Sequence, residues 1–441
     1  MKTKVMIAGG GVGGLMAALK LAKCGYDVTV AEQTKNSAHL YKGELLQPKS
    51  IQLFEQAGVQ EQVISTGHPI NEIEIIEMKR KNDQYHQLGK AVMDYNIINS
   101  RYNYALMIPH EILKNILLEE AEKYQGFNLI RPARFTGFRN GKALVKTSEQ
   151  ELEIEADVYI GAEGRKSKVR EAMNVPVKEQ TYDHHFLTVS FPRPPSLTEG
   201  RMISTAHTFL GLFPLPDNKV RTVYLISSGE YKEMKEKGIQ YFHERYLELC
   251  PDLDGYVTQI KSWKEIQLMI PVHFHAEHYV KGNKAIIGDA AHSVHPMAGE
   301  GMNLAIQDGD ALGELLCWIF ENGYEPEKYL DWYEEVRRPR VEHILNISHL
   351  SSIPYSKPFK YFTRIRNKGI KQMTKDPKLH TKQMLNISGL GIWKETFLDR
   401  MIQVGMLPAR TYQNIQLMHE RYMFSSENDY PWRTKGGNSH A

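Results

Sequence analysis

Six residues near the N-terminus constrain this chain more than any other feature. Gly9-Gly10-Gly11-Val12-Gly13-Gly14 follows directly on the apolar run Val5 to Ala8 and leads into Val12, Leu15, Met16, Leu19 and Ala22 at helical spacing, closed by Gly25. A second apolar run, Asp27 to Ala31, ends at Glu32. Strand, GxGxxG, helix, and strand with a terminal acid make the first unit of a dinucleotide-binding fold. Gly9 permits the tight turn, Gly11 lets a pyrophosphate reach the main chain, and Gly14 lets helix and strand pack; Val12 and Gly13, in the same turn, join them as expected cofactor contacts. Glu32 lies 18 residues past Gly14, where a carboxylate accepts hydrogen bonds from both ribose hydroxyls of an adenosine and repels a 2′-phosphate. A glycine-rich helix start with an incidental surface acid is the alternative.

A second stretch, Gly288 to Asp308, reads as strand end, loop and helix start. Ala285 to Gly288 ends a buried strand, Pro296 to Gly301 hold a side-chain-poor loop, and helical spacing resumes at Met302. Such a loop presents main-chain N–H groups at a helix N-terminus. Its small residues let a flat ring approach, and the free amides with the helix dipole favour partial negative charge on the ring edge. An isoalloxazine ring is that kind of partner, and Asp289 is placed to accept a hydrogen bond from a ribityl hydroxyl. A purely structural strand-to-helix turn is the other reading.

At 441 residues and 41% hydrophobic, the chain has room for two domains plus an extension. A net charge of +3 is too balanced to imply nucleic acid. Cys24, Cys250 and Cys317 lie far apart without a CxxC pair, so neither a disulfide framework nor a zinc or iron-sulfur site is expected, and a reducing cytoplasm fits best. The N-terminal apolar run is too short for a signal peptide or membrane span, and no internal repeat is evident.

Between these stretches, Gly43-Glu44-Leu45-Leu46-Gln47-Pro48 precedes a helix that carries Ile51, Phe54 and Ala57 inward and stops at Gly58. Ile70 to Met78 alternates like a strand, followed by a hairpin tip or loop, and Pro109 opens another helix. A strand through Ala156 to Ile160 runs into Gly161-Ala162-Glu163-Gly164-Arg165-Lys166-Ser167-Lys168-Val169-Arg170. Phe186 to Phe191, Phe209 to Leu215 and Val220 to Ser227 then read as strands, the last two joined at Pro216-Asp217-Asn218. With the Ile70 strand they predict a mostly antiparallel sheet walling a substrate pocket. A helix from Asn303 to about Phe320 follows, and Pro339 is expected to end the next. The last hundred residues are helical in pattern, with nine Lys or Arg against one acid, Asp376, between Lys357 and Lys382, interleaved with Phe359, Tyr361 and Phe362. A solvated helix face is the plain explanation for that run. His273, His275, His278, His292 and His295 cluster without metal-ligand spacing, so no metal is expected.

Three separated stretches, the GxGxxG with Glu32, Gly161 to Arg170 and Gly288 to Asp308, together resemble the single-component FAD-dependent monooxygenases of the aromatic hydroxylase type, a family that includes ubiquinone-pathway hydroxylases and squalene epoxidase. The resemblance covers the first 340 residues, and the Gly43 to Pro48 piece is closest to the epoxidase branch. It implies an α/β fold: a dinucleotide-binding FAD domain (residues 1–69, 98–175 and 275–340) with an inserted mostly antiparallel β-sheet substrate domain (70–97 and 176–274), to which the helical pattern of 341–441 adds a C-terminal extension. Gly9, Gly11, Gly14 and Glu32 would hold the ADP half of FAD, Asp289 the ribityl and pyrophosphate region, and Pro296, Gly299, Gly301, Met302 and Asn303 would lie along the ring. Glu163 stands where the family's motif for FAD and NADPH has Asp. An Arg usual near Tyr41 and Lys42, and a Gln common at Glu300, are both replaced, which puts a carboxylate near the flavin's electron-rich edge.

The activity so implied is hydroxylation of an aromatic, phenolic or quinoid small molecule through a flavin hydroperoxide, with dioxygen as co-substrate and NADPH or NADH as electron donor; no protein nucleophile is required. Epoxidation of an unsaturated isoprenoid-like chain is the alternative, and a flavin reductase or dehydrogenase, or a flavin-binding regulator without turnover, are others. Residues 357–382 leave a peripheral membrane contact open for an otherwise cytoplasmic protein.

Overall fold

The computed structural model describes residues 1–35, 43–82, 84–356, 362–411 and 419–435. Its first sheet grows around the strand Lys2–Ala8, which pairs in parallel with Val28–Ala31 on one side and Glu151–Gly161 on the other. Phe127–Ile130 and Lys284–Ile286 extend the parallel array at either end. Val5, Met6, Ile7 and Ala8 are wholly buried, the continuous apolar run of a strand covered on both faces. A hairpin, Ala133–Arg139 and Lys142–Thr147, adds to the outer end of Glu151–Gly161.

Helices Val12–Lys23 and Gly301–Glu321 pack on this sheet and on each other. A Cβ on Gly13 would lie 2.7 Å from the Ala305 carbonyl oxygen, and one on Gly309 would lie 2.2 Å from that of Gly13, so the backbones meet where both helices lack side chains. The same packing brings Cys24 and Cys317, separated by 293 residues, into a disulfide. This corrects the expectation of unpaired cysteines, because the bond follows from helix docking that spacing along the chain does not reveal.

The second sheet has seven strands in the order Gln267–Met269, His184–Pro192, Lys219–Ser227, Phe209–Leu215, Gly200–Ser204, Glu72–Lys81 and Gln84–Asp94. All pairings are antiparallel except Gly200–Ser204 with Glu72–Lys81. Asp217 and Asn218, at φ 59° and 55°, make the expected turn. Alternation divides its faces: Leu187, Val189, Leu210 and Tyr224 pack under the helix Ile239–Leu249, whereas Phe186, Phe209 and Leu225 point the other way.

That other face is roofed by the helices Phe362–Lys375, Pro377–Ser388 and Phe397–Gln403. The helix Asp331–Ser356 runs straight through Pro339, contrary to the expected stop, and buries Val341, Ile344 and Leu345. Interior proline costs a helix about 3 kcal/mol, which the packing of that apolar stripe outweighs. The basic run is only partly a solvated face. Arg364, Lys368, Lys371 and Lys375 are exposed, but Arg366 is buried against Glu77 and Lys382 against Asp399. Lys357, Phe359, Lys360 and Tyr361 lie outside the described residues, as do Tyr41 and Lys42. Among the described residues no helix is long and apolar enough to cross a membrane.

Candidate active site

The glycine turn forms as its sequence requires. Gly9 sits at φ +103°, and a Cβ there would lie 2.4 Å from the Ala162 oxygen; one on Gly14 would lie 2.2 Å from the Gly9 oxygen. Both are closures that only glycine permits. Among the described residues no atom lies within 4 Å of a Cβ built on Gly11, so that side of the turn is open to a ligand. Glu32 stands beside it, its carboxylate accepting from Gly10 N at 2.7 Å and Thr34 N at 2.8 Å. Burial works against its charge, but the Thr34 hydroxyl and amide, the Gly10 amide and Lys114 outweigh it and hold the carboxyl below the usual range. Gly10, Glu32, Lys114 and Arg131 line a small pocket there.

Glu163 turns back onto its own segment. Its carboxylate accepts from Ser167 Oγ at 2.6 Å, Val169 N at 3.1 Å and Lys168 N at 3.2 Å, so it caps the short helix Lys168–Ala172. Burial pushes this carboxyl up despite those bonds. The added methylene over Asp brings the acid within reach of the helix start, so its carboxylate is engaged by protein donors. Arg170 ties this segment to the next motif by donating to the Ala290 carbonyl at 2.7 Å.

Asp289 lies exposed in the single turn Gly288–Ala290 that ends the strand. The turn is held from beneath by Asp308, which the sequence reading did not single out: Asp308 Oδ2 accepts from Gly288 N at 2.9 Å and lies 2.7 Å from His292 Nε2, while Oδ1 accepts from Arg337 Nε at 2.7 Å. An acid on the buried stripe of an apolar helix was the available signal.

Pro296, Met297 and Ala298 form one 3₁₀ turn, ended by Gly299 at φ +66°. Asn303 fixes this loop. Its Oδ1 accepts from Gln47 N and Ser50 Oγ at 2.8 and 2.7 Å, and its Nδ2 donates to the carbonyls of Leu45 and Gly299 at 2.9 and 3.0 Å. The Asn303 side chain is therefore saturated by protein, which leaves main-chain amides as what it and Met302 can offer a ring. Glu300 makes no side-chain cap, and the first helical bond is Leu304 N to Glu300 O at 2.9 Å, so Gly301, Met302 and Asn303 open a 21-residue helix with the uncompensated dipole end toward the loop. Among the described residues a Cβ on Gly301 would meet only Val294 Cγ1, at 3.6 Å.

Behind the loop, Met297 N donates to His295 Nδ1 at 3.3 Å, which leaves the His295 Nε2–H to donate to His184 Nε2 at 2.8 Å. Burial pushes His295 down to about 3 and His184 down to about 4, so both are neutral near pH 7. Glu300 is buried with Oε1 lacking a hydrogen bond among the described residues, and burial drives its carboxyl well above the ordinary range, opposed by a contact from Gln47. Gln47 in turn accepts from Tyr95 Oη at 2.9 Å. Among the described residues no three His, Cys, Asp or Glu side chains are grouped to hold a metal.

Pro296, Met297 and Gly299 form part of the wall of a cavity of about 470 Å³ that lies between the loop, the inner face of the seven-stranded sheet and the C-terminal helices. Its lining includes Phe186, Met202, Phe213, Ile370 and Met373, so the cavity on this face of the sheet acquires its far wall from the end of the chain. The sequence reading placed the sheet there and missed that roof.

Residues 2–348 match the family described as FAD binding domain. The chain is 26% identical over 359 residues to 6-methylpretetramide 4-monooxygenase of Streptomyces rimosus, covering 79% of this chain and 84% of that protein. To 3-demethoxyubiquinol 3-hydroxylase of Escherichia coli K12 it is 26% identical over 334 residues, covering 71% and 79%. The crystal structure of p-nitrophenol 4-monooxygenase PnpA from Pseudomonas putida DLL-E4 superposes with a TM-score of 0.75 at 18% identity, covering 88% of this chain and 98% of that one, a likeness of fold.

Proposed function

The chain belongs to the FAD-binding family of single-component monooxygenases, and from that premise we propose that it uses NADPH or NADH to hydroxylate an aromatic, phenolic or quinoid small molecule with dioxygen. One observation carries the reading. The loop expected beside the flavin ring is itself a wall of a large apolar cavity, so a substrate held there would lie next to the ring.

The residues present fit FAD: the open side of Gly11 for the pyrophosphate, Glu32 for the adenosine ribose, exposed Asp289 for the ribityl and pyrophosphate region, and the uncapped amides of Gly301, Met302 and Asn303 for the electron-rich edge. When bound, that cofactor supplies the redox and oxygen-activating chemistry. The chain's part is to position and to exclude water. Asn303 locks the loop to Leu45 and Gly299, the neutral His295–His184 pair supports it from behind, and the apolar cavity walls keep water from the reacting atoms. Burial raises the Glu300 carboxyl well above its ordinary range, which favours its proton-bearing form beside the helix start.

Incubation with NADPH or NADH, a phenolic substrate set and ¹⁸O-labelled dioxygen tests this. One ¹⁸O atom is expected in the product. Reduced cofactor consumed with no label in any product would favour the reductase reading, and label in an epoxide would favour the isoprenoid-like alternative. A peripheral membrane contact through the C-terminal helices remains part of the proposal, supported by the exposed Arg364, Lys368, Lys371 and Lys375.

A further inference from the structure

The cavity's walls say more than that a substrate fits. Four charged side chains line it among the described residues, Arg221, Arg366, Glu395 and Arg400. Each is already matched. Arg221 binds both oxygens of Glu44 at 2.7 and 2.8 Å, and Arg366 binds both oxygens of Glu77 at 2.6 and 2.7 Å. Arg400 faces Glu395 at 2.7 Å. An ionised ligand would have to leave water for an apolar space in which every counter-charge is committed to a protein partner, a transfer that strongly disfavours binding.

Size is the second constraint. An engineered apolar cavity of about 150 Å³ is known to take one benzene ring, so about 470 Å³ suits about three rings or their equivalent. Polarity is the third. Gln383, on the roof helix Pro377–Ser388, lines the cavity with its buried Oε1 lacking a hydrogen-bond partner among the described residues. A buried acceptor left unmatched is costly, and a ligand hydroxyl or N–H would satisfy it. Its neighbour Asn386 is by contrast saturated, accepting from Trp393 N at 2.9 Å and donating to Trp393 O at 3.1 Å.

We propose that this cavity selects an uncharged, largely apolar compound of two or more rings with one hydrogen-bond donor read by Gln383, and that the helices beyond residue 348, outside the family match, set that choice. The inference rests on the monooxygenase reading for the identity of the cavity, but binding alone tests it. Ile370 and Met373 make the roof's contact with the sheet through Ile75 and Ala91. The roof also contributes Ile365, Gln383 and Ile387 to the lining, beside the ion-paired Arg366 and Arg400.

The test uses flavin-loaded enzyme and three probes of one size: 4-phenylphenol, 4-methoxybiphenyl and biphenyl-4-carboxylate, with affinities from titration calorimetry. The phenol is expected to bind at least tenfold tighter than the carboxylate and several-fold tighter than the methyl ether. Gln383→Leu should abolish the preference for phenol over ether while leaving ether affinity unchanged. Ile370→Trp should weaken all three probes tenfold or more with flavin content and thermal transition retained, and phenol itself, one ring, should be affected least. Tighter binding of the carboxylate overturns the uncharged class. A phenol preference that survives Gln383→Leu overturns the donor assignment, and probe affinities untouched by Ile370→Trp overturn the roof as the selective wall. Absence of labelled oxygen in product would defeat the monooxygenase reading and leave these binding results standing, so the two failures are distinguishable.

Discussion

Asp308 and Arg337 meet at 2.7 Å with both side chains buried, and the same carboxylate holds Gly288 N and lies against His292. One acid thus fastens the strand end that carries Asp289 to the helix whose N-terminus carries the loop, and both to the helix Asp331–Ser356. Burial opposes its ionisation, yet His292 and Arg337 hold it below the usual carboxylate range.

Breaking a buried pair from one side leaves an uncompensated charge, which typically costs about 3–5 kcal/mol. Arg337→Met should therefore lower stability by that order in urea denaturation, and the double variant Arg337→Met, Asp308→Asn should recover part of it. A single variant within about 0.5 kcal/mol of the parent would show that the network does not hold the strand end.

The network also marks where sequence reading stops. Local pattern was sufficient for Gly9, Gly14 and Glu32, because steric closure and a strand-end acid act over a few residues. It was sufficient for Asn303 at the start of the long helix, but not for its partners Gln47 and Ser50, more than 250 positions away. Nor did spacing reveal that the donors to Glu163 are Ser167, Lys168 and Val169 of its own segment. Cys24 with Cys317, and the roof over the sheet, depend on how helices dock, which helical periodicity leaves open. Pro339 shows the reverse case, a local stop signal overridden by tertiary packing.

Glu32→Ala removes the acceptor at the edge of the glycine turn, so FAD affinity should fall by about 1–3 kcal/mol in equilibrium dialysis. Asp289→Ala should lower flavin occupancy. Acid precipitation should release the chromophore to the supernatant, as expected for a cofactor held without a covalent bond. Gly301→Val is the sharper variant, because a Cβ there meets only Val294 and the effect should appear as lost flavin with little change in the apoprotein's thermal transition. Full flavin content in that variant would place the ring elsewhere.

Burial raises Glu300 above its ordinary range, so the folded chain keeps a proton that the unfolded chain releases. The sign follows from linkage: this contribution is fully present below about pH 4.5 and is lost, by about 1.4 kcal/mol per pH unit, as pH rises toward the folded value. Glu300→Gln should match wild type near pH 4 and become the more stable as pH rises above about 4.5. A stability difference independent of pH would mean that Glu300 is not held protonated.

The surface next to the roof combines two signs of a bilayer contact. Phe397, Leu398 and Met406 are 80%, 57% and 69% exposed, and the helix carrying the first two packs against the one that bears Arg364, Lys368, Lys371 and Lys375. Each basic residue near an anionic membrane is worth about 1 kcal/mol, and a shallowly inserted aromatic adds to it. With Arg366 and Lys382 consumed in buried ion pairs, the electrostatic part is smaller than the nine charges of the sequence suggest. Attachment should therefore be weak, dependent on anionic lipid and reversed by salt. Sedimentation with anionic and with neutral vesicles, at low and high ionic strength, should bring the protein down only with anionic vesicles at low salt, and Phe397→Asp with Leu398→Asp should reduce that fraction without altering flavin content. Equal recovery in all four supernatants would leave the exposed apolar residues without a membrane role and the basic helix face as an ordinary solvated one.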